Sequence, residues 1–400
     1  MCCFLVLRYS FVILEKRLGV KAYKESEIDK MEKKNIRLMG KSVDNRLYLP
    51  GLNGIRAVAA LTVLFGHMFS PFGDWGLAPV SFHIPWPEEP VTTFFVISGF
   101  LITYLLMNEI GKTNDISIPK FYMRRILRIW PLYYVYMLLA ILSVVLLKSD
   151  MNESVWYYTF FSGNISHALG LGLIPLFHYW SLGVEEQYYL WYPWVVKYNK
   201  ERILKVVIAL CIVWFGLKMG SYFLLGKGLV YKIFNVTRFD CMMIGAIGAI
   251  LYYKKTDWFI KFCSNKWLIV LSWALFFTSG LYAQYIPSPV RAEYMSIISL
   301  LIIMAGLLSK PILENRIMNY LGKISYGIYV IHPLLIFVGS WIVKSTGLLS
   351  NIHEGGHIVV FAGVSALTIL LASLSYRYLE MPFLRLKDKF SVVKSTNEKE

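Results

Sequence analysis

The chain has 400 residues, of which 56% are hydrophobic and 16% are charged, and its formal net charge is +16. An ordinary soluble domain carries about 25% charged residues, so this composition excludes a typical soluble enzyme and indicates a polytopic membrane protein. The basic excess does not indicate a nucleic-acid partner, because cytoplasmic loops of a membrane protein account for it.

The first 46 residues differ from the rest of the chain. The stretch from Glu15 to Arg46 is rich in charge, and the apolar stretch before it is too short to span a membrane. We therefore expect residues 1–46 to be a cytoplasmic N-terminal extension, residues 47–386 to be one membrane domain, and residues 387–400 to be a basic cytoplasmic tail.

Ten apolar segments are long enough to be membrane-spanning helices, which need ~20 residues each. Basic residues concentrate in alternate linkers between them, and the positive-inside rule then places both termini in the cytoplasm. The apolar stretch 155–175 is interrupted by Asn164, His167 and three glycines, which favours a partly buried external loop. The sequence predicts an all-α, polytopic integral membrane helix bundle with about ten transmembrane helices, at 54–72, 90–108, 130–147, 181–198, 203–224, 239–253, 267–284, 293–309, 324–343 and 357–378.

The first predicted span, GIRAVAALTVLFGHM, carries Arg56 near one end and His67 near the other. Eleven helical residues make about three full turns, so the two side chains share a face roughly 16 Å apart. Arg56 alone is compatible with contact to lipid phosphate, and His67 alone with an interhelical hydrogen bond. A neutral imidazole is also a usable base or nucleophile, so His67 is a candidate catalytic residue.

Other polar side chains fall inside or beside the predicted spans, where ionisable groups usually mark function. Each has a structural alternative: a helix-dipole role for the glutamates with Ser181 as N-cap, a mutual ion pair for the Arg–Asp pair, and a hydrogen bond for the histidine. Together these residues predict a polar chamber towards the outer side: Ser98, Glu185, Glu186, Arg238, Asp240 and His332.

The segment RRILRI precedes the third predicted span. Arg124 and Arg128 are four residues apart and so share a helix face, with Arg125 beside them. Simple positive-inside anchoring is one interpretation. The other is an anion site, because the planar guanidinium suits phosphate.

These stretches together resemble membrane acyltransferase family 3, the family of bacterial sugar O-acetylases, from about Tyr48 to Leu386. Seven motifs occur in the family's order: Arg56 with His67, SGF at 98–100, the arginines at 124, 125 and 128, WSLGVEEQYYL at 180–190, RFD at 238–240, ISYGIYVIH at 324–332 and YRYLEMPF at 376–383.

The resemblance implies that an acyl group, commonly acetyl, moves from cytoplasmic acyl-CoA to a hydroxyl of a carbohydrate at or beyond the outer face. It implies His67 as base or acyl acceptor, supported by Arg56, with one of two adjacent glutamates, preferably Glu186 over Glu185, on the acceptor side. It implies that the three arginines hold coenzyme A phosphates. The remaining polar residues are expected on the acceptor side or in structural roles: Arg238, Asp240, Ser98, His332 and Tyr326.

The expected partners are thus membrane lipids, acyl-CoA and a carbohydrate, and we expect neither a nucleic acid nor a metal. The expected location is the bacterial cytoplasmic membrane, which the protein crosses several times. The cysteines have neither metal-ligand spacing nor a paired pattern. The rival interpretation is a transporter of a polysaccharide precursor or organic anion. It also needs many spans and buried charges, but the sequence shows no internal repeat to support it.

Overall fold

The computed structural model describes residues 46–68, 75, 89–309, 313–347, 356–392 and 394–395. The expected N-terminal extension lies outside these ranges except for Arg46, and the expected tail 387–400 is described only in part. The proposed boundaries of these segments, and the side of the membrane on which they lie, stay predictions.

The described part of the chain is almost entirely helical, as the sequence predicts. Its strands have two residues each, β1 Arg46–Leu47 and β2 Lys394–Ser395. The α-helices are α1 Leu52–Met68, α2 Pro90–Thr113, α3 Ile118–Leu146, α4 Ser154–Thr159, α5 Gly163–Ala168, α6 Tyr179–Tyr198, α7 Ile203–Leu225, α8 Leu229–Thr237, α9 Phe239–Tyr253, α10 Asp257–Cys263, α11 Lys266–Phe277, α12 Ser279–Tyr282, α13 Ser288–Leu308, α14 Arg316–Lys323, α15 Ser325–Thr346, α16 Gly356–Ser375 and α17 Met381–Lys387. Short 3₁₀ turns cover Ile174–Leu176, Ala283–Tyr285 and Asp388–Phe390, and a π-helical turn, Tyr376–Glu380, joins α16 to α17.

Helix boundaries follow local sequence signals. Asn265 begins α11 as an N-cap, since its side chain accepts from the backbone N–H of Trp267 at 2.9 Å. Asn315 caps α14 in the same way, accepting from the Met318 N–H at 3.0 Å. Proline stands in the first turn of α2, α3 and α13, where no intrahelical donor is needed.

Seven helices in the described ranges are long and apolar enough to cross a membrane, or eight if α10 and α11, which meet at a 61° bend, form one broken span. In the described residues, all ten predicted segments coincide with helices, with 69–72 of the first segment outside them, but the count of ten spans is not established. Helix α6 falls short in apolar content because its sequence carries Glu185 and Glu186, and α1 has only 17 residues. The stretch 155–175 contains α4, α5 and a 3₁₀ turn, with Tyr158 and Asn164 buried.

Helices α2 and α9 pack at backbone contact in the centre of the bundle. A Cβ atom placed on Gly99 would overlap the carbonyl oxygen of Met242, and one on Gly245 would overlap that of Val96. Only glycine permits so close an approach at these two positions, as in the small-residue interfaces of membrane helices. The close contact fixes α2, which carries part of the candidate site.

Helix α7 lies at the periphery and presents large apolar side chains outwards. Ile212, Phe223 and Leu224 are more than half exposed. Such a surface is unfavourable in water and suits a lipid environment. The same helix buries Lys218 completely on its inner side.

Candidate functional site

A cavity of about 90 Å³ lies between α1, α2, α3, α6 and α15. Its wall is largely apolar, including Val91, Phe94 and Leu101. The volume holds several water molecules, since one needs roughly 10–15 Å³. The polar side chains in the wall are Arg56, Ser98, Arg125, Arg128, Ser181, Glu185, Ser325 and the tyrosines at 189, 326 and 329.

Glu185 is the carboxylate of this cavity. Its Oε1 accepts from Ser98 Oγ at 2.9 Å, and its Oε2 accepts from the Tyr189 hydroxyl at 3.1 Å. Ser98 comes from α2 and Tyr189 lies one turn further along α6, so two helices fix the carboxylate. It also interacts electrostatically with Arg56 and Arg128.

A second cavity of about 40 Å³ shares part of its wall with the first. Arg56, Arg128 and Tyr326 line both cavities, and the second adds Lys323 and Glu380. Glu380 is buried and lies at the end of the π-helical turn, a feature that often marks functional positions.

The charges around the two cavities are arranged in alternation. Arg56 and Arg128 interact with Glu185 on one side and with Glu380 on the other. Buried charges are costly unless an opposite charge compensates them. The two carboxylates therefore hold two guanidinium groups beside an apolar channel, and Lys323 adds a third basic group at the second cavity.

His67 is not among the residues lining either of these two cavities. Its Nδ1 is 2.8 Å from Nε2 of His332, and the two rings are stacked with centroids 5.1 Å apart. His332 also contacts Tyr329, which lines the first cavity, with ring centroids 6.1 Å apart. Tyr329 therefore contacts both the first cavity and His332.

The structure places the three arginines of RRILRI in two different surroundings. Arg125 and Arg128 line the first cavity, and Arg125 packs its guanidinium over the Tyr189 ring at 5.7 Å. Arg124, expected to share a face with Arg128, instead forms a buried ion pair with Glu109 at 2.7 Å. Arg124 and Arg128 keep their four-residue spacing on α3, but Glu109 of α2 binds the Arg124 guanidinium, which does not line the cavity.

The adjacent glutamates of α6 also diverge, as helical geometry requires. Glu186 is absent from both cavity walls, and its Oε2 accepts from Trp130 Nε1 at 3.4 Å. The alternative with Ser181 as N-cap is wrong: α6 begins at Tyr179, and Ser181 Oγ donates to the His178 carbonyl at 3.1 Å.

Arg238 and Asp240 do not pair with each other, so that structural alternative is wrong. Arg238 forms an ion pair with Glu89 and donates to Thr92 Oγ1 at 2.9 Å. Asp240 accepts from Lys218 Nζ at 3.0 Å. Each residue is held by a partner on another helix or linker, and neither lines the two cavities.

Several residues of these networks were not assigned from the sequence. Lys218 could have been found, because a lysine in the middle of the apolar segment 203–225 is a recognised signal for a buried partner. Glu293, which pairs with Lys218, and Glu109 carried no such signal. Glu380 lay in a quoted motif without a role, because no spacing rule predicts a π-helical turn.

Outside the spans, the turn after α2 carries an exposed charge cluster. Asp115 accepts from Lys197 at 2.9 Å and lies 3.2 Å from Lys200. These bonds and that to the Ile116 backbone hold the pKa of the Asp115 carboxyl well below its usual range. In the described ranges, no group of three or more His, Cys, Asp or Glu side chains is arranged to hold a metal ion.

Comparison with known proteins agrees with this architecture. The family model of acyltransferase family 3, described as an acyltransferase domain, matches residues 49–377. O-acetyltransferase OatA of Staphylococcus aureus strain NCTC 8325 / PS 47 is 27% identical over 384 residues, which cover 88% of this chain and 60% of that protein. SACOL0978 of S. aureus strain COL, named as a candidate O-acetyltransferase, is 29% identical over 373 residues, 84% of this chain and 57% of that protein. No solved structure matches the chain.

The chain thus spans about 60% of the length of the curated relatives it matches. Its apolar helices and its relatives identify a multi-pass bacterial membrane protein. The first six motifs quoted from the sequence fall within the matched region, and the last one, at 376–383, begins where the match ends. The chain belongs to acyltransferase family 3.

Proposed function

We propose that this protein transfers an acyl group, commonly acetyl, from acyl-CoA to a hydroxyl of a cell-surface or exported carbohydrate. The observation that carries the proposal is the pair of adjoining cavities within the helices, in which Arg56 and Arg128 stand between two carboxylates. The O-acetyltransferase relatives favour the same reaction class.

The donor enters through the basic second cavity. Arg56, Arg128 and Lys323 surround it and would bind the phosphates of coenzyme A, because guanidinium groups form strong charge-assisted hydrogen bonds with phosphate. The apolar wall of the first cavity, with Phe94 and Leu101, suits the uncharged pantetheine arm and its acyl group. Arg124 has no part in this site, since Glu109 holds it.

His67 is the proposed base on the acceptor side. It takes the proton of the acceptor hydroxyl, the hydroxyl oxygen attacks the thioester carbonyl carbon, and the carbon–sulfur bond breaks to release coenzyme A as the thiolate. General base catalysis of this kind contributes typically 10²–10⁴-fold to the rate. We therefore expect the rate of acyl transfer to fall by about 10²-fold or more when His67 is removed.

Glu185 is the better candidate of the two glutamates. It faces the arginines in the cavity wall, whereas Glu186 points to Trp130. We assign Glu185 to holding Arg56 and Arg128 in position rather than to the acceptor, which reverses the preference drawn from the sequence.

Donor binding is tested with purified protein in nanodiscs and acetyl-CoA. Arg128→Ala should weaken binding by about 10–100-fold, because a hydrogen bond to a charged group contributes roughly 1.5–3 kcal/mol. Lys120→Ala is the matched control, since this exposed residue lies on the same helix outside both cavities and should leave the Kd within about twofold. Equal Kd values for wild type and Arg128→Ala would reject the donor site.

Transfer is tested by mass comparison of the surface polysaccharide from cells with and without the gene, and from cells expressing His67→Ala at normal level. We expect the wild-type polysaccharide to be heavier by one acyl group per modified unit. The polysaccharide from the deletion strain and from the His67→Ala strain should lack this added mass. Unchanged polysaccharide together with no acetyl-CoA consumption would favour a transporter instead.

A further inference from the structure

We infer that His332 is a positioning residue that fixes the proton of His67 on Nδ1, so that Nε2 of His67 carries the lone pair used in the reaction. The inference rests on the proposed role of His67 as base. It concerns a residue that touches neither cavity and reaches the reaction only through its neighbour.

The direction of the hydrogen bonds follows from one backbone carbonyl. Nδ1 of His332 lies 2.9 Å from the carbonyl oxygen of Ile328, which can only accept. Nδ1 of His332 must therefore carry a proton. A neutral imidazole has one ring proton, so Nε2 of His332 is an acceptor.

That acceptor lies 2.8 Å from Nδ1 of His67. Two bare nitrogens at this distance would repel each other, so Nδ1 of His67 donates the proton. The single proton of neutral His67 is then accounted for, and its Nε2 is unprotonated. The chain of bonds runs from His67 through His332 to the backbone of α15.

The same arrangement serves the charged state. When Nε2 of His67 takes the hydroxyl proton, both ring nitrogens carry protons, and the Nδ1–H bond to His332 becomes charge-assisted and stronger. Transfer of the Nδ1 proton to His332 gains nothing, because it only moves the positive charge to a second, fully buried imidazole. His332 thus stabilises the imidazolium without being protonated itself, as the carboxylate does in a serine protease triad.

Packing prevents the His332 ring from turning. It is fully buried, and the rings of His178 and Tyr329 lie against it with centroids 5.8 and 6.1 Å away. Pro333 follows His332 directly in the helix. Because proline has no N–H, the carbonyl of Tyr329, four residues earlier, lacks its usual helical donor. Among the described residues, His178 and Tyr329 are titratable groups whose rings face His332.

The proposal is tested by two substitutions that differ in whether the side chain can accept a hydrogen bond from His67. His332→Gln retains a side-chain oxygen that can accept from His67, whereas His332→Leu removes the acceptor. We expect kcat to fall about 10²-fold or more in His332→Leu, with the KM for acetyl-CoA within about twofold, and His332→Gln to recover to within about tenfold of wild type. A purely structural role would lower the amount of folded protein without this split.

¹⁵N NMR of histidine-labelled protein in nanodiscs gives a second readout that does not depend on activity. The His67 signals, identified by their loss in His67→Ala, should show a protonated Nδ1 and a bare Nε2 in the wild type and a shifted distribution in His332→Leu. A His67 tautomer with its proton on Nε2 in the wild type would overturn the proposal. Full transfer by His67→Ala would instead reject the proposed function while leaving the tautomer measurement intact.

Discussion

Two sets of buried charges in this protein have similar composition and different surroundings. In the cavity set, Arg56 and Arg128 lie between Glu185 and Glu380 and border empty volume. In the second set, Lys218 of α7 is paired with Asp240 and Glu293, is completely buried, and borders neither described cavity.

The difference shows that a charge inside a membrane protein is not by itself a sign of a ligand site. The Lys218 set joins α7, α9 and α13 through the two carboxylates that pair with the lysine. The cavity set leaves guanidinium groups beside space that an anion could enter. The comparison therefore assigns stability to one set and chemistry to the other, and substitutions can break that assignment.

The largest effect is expected from Lys218→Met. Removing the lysine leaves two carboxylates buried without their cation, which typically costs about 3–5 kcal/mol of unfolding free energy. Denaturant titration in mixed micelles measures the loss. The triple change Lys218→Met, Asp240→Asn and Glu293→Gln removes all three charges and should restore most of it; unchanged stability of the single variant would refute the structural assignment.

The next largest effect is expected from Glu185→Gln, and it should fall on activity. The arginines lose a compensating charge and their fixed position, so transfer should decrease by about 10²-fold at near-normal stability. Glu186→Gln is the matched control on the same helix turn and should retain more than about a third of wild-type transfer. Equal losses in both variants would remove the distinction between the two glutamates.

A smaller effect tests the close contact of α2 and α9. Gly99→Ala forces the two backbones apart and should destabilise the fold by about 1–3 kcal/mol, as overpacking does. Gly216→Ala on α7 is the control, because an added Cβ there meets nothing within 4 Å. Alanine is favoured over glycine in helices, so the control should be neutral or slightly stabilising, and thermal midpoints of both variants decide the matter.

The smallest effect is expected from Asp115→Asn at the exposed cluster. Because Lys197 and its neighbours lower the pKa of Asp115, the ion pairs stabilise the fold above the carboxyl's unfolded pKa and are lost as the pH falls through the lower folded value. At pH 7 the thermal midpoint should change by no more than the error of the scan, since exposed pairs contribute little. A clear drop would show that surface charges stabilise this protein as buried ones do.

Much of this architecture could be predicted from composition and periodicity. Wherever the structure describes the ten apolar segments they form helices, and motifs such as WSLGVEEQYYL predict the family that the comparison confirms. Apolar length and motif order are properties of the chain itself, so they can be read without a structure. The roles assigned to His67, Arg56 and the glutamates stay predictions.

Pairing between helices could not be predicted. Arg124 and Arg128 are equivalent by their spacing in the sequence. Arg124 nevertheless pairs with Glu109, which lies fifteen residues earlier on another helix. Asp240 and Lys218 meet because α7 and α9 pack together, which no local spacing encodes. Contacts between residues far apart in the chain determine which polar side chain lines a cavity. Local spacing in one sequence does not predict these contacts.

The glycine contact between α2 and α9 also has a mechanical consequence. Two helices that touch through their backbones have no side-chain layer that could repack, so sliding of one against the other is resisted. Helix α2 also carries Ser98, the partner of Glu185, which makes one wall of the cavity a rigid frame. Under the proposed function, we therefore expect any widening that admits a thioester to come from the wall formed by α15, where Tyr329 contacts both the cavity and His332.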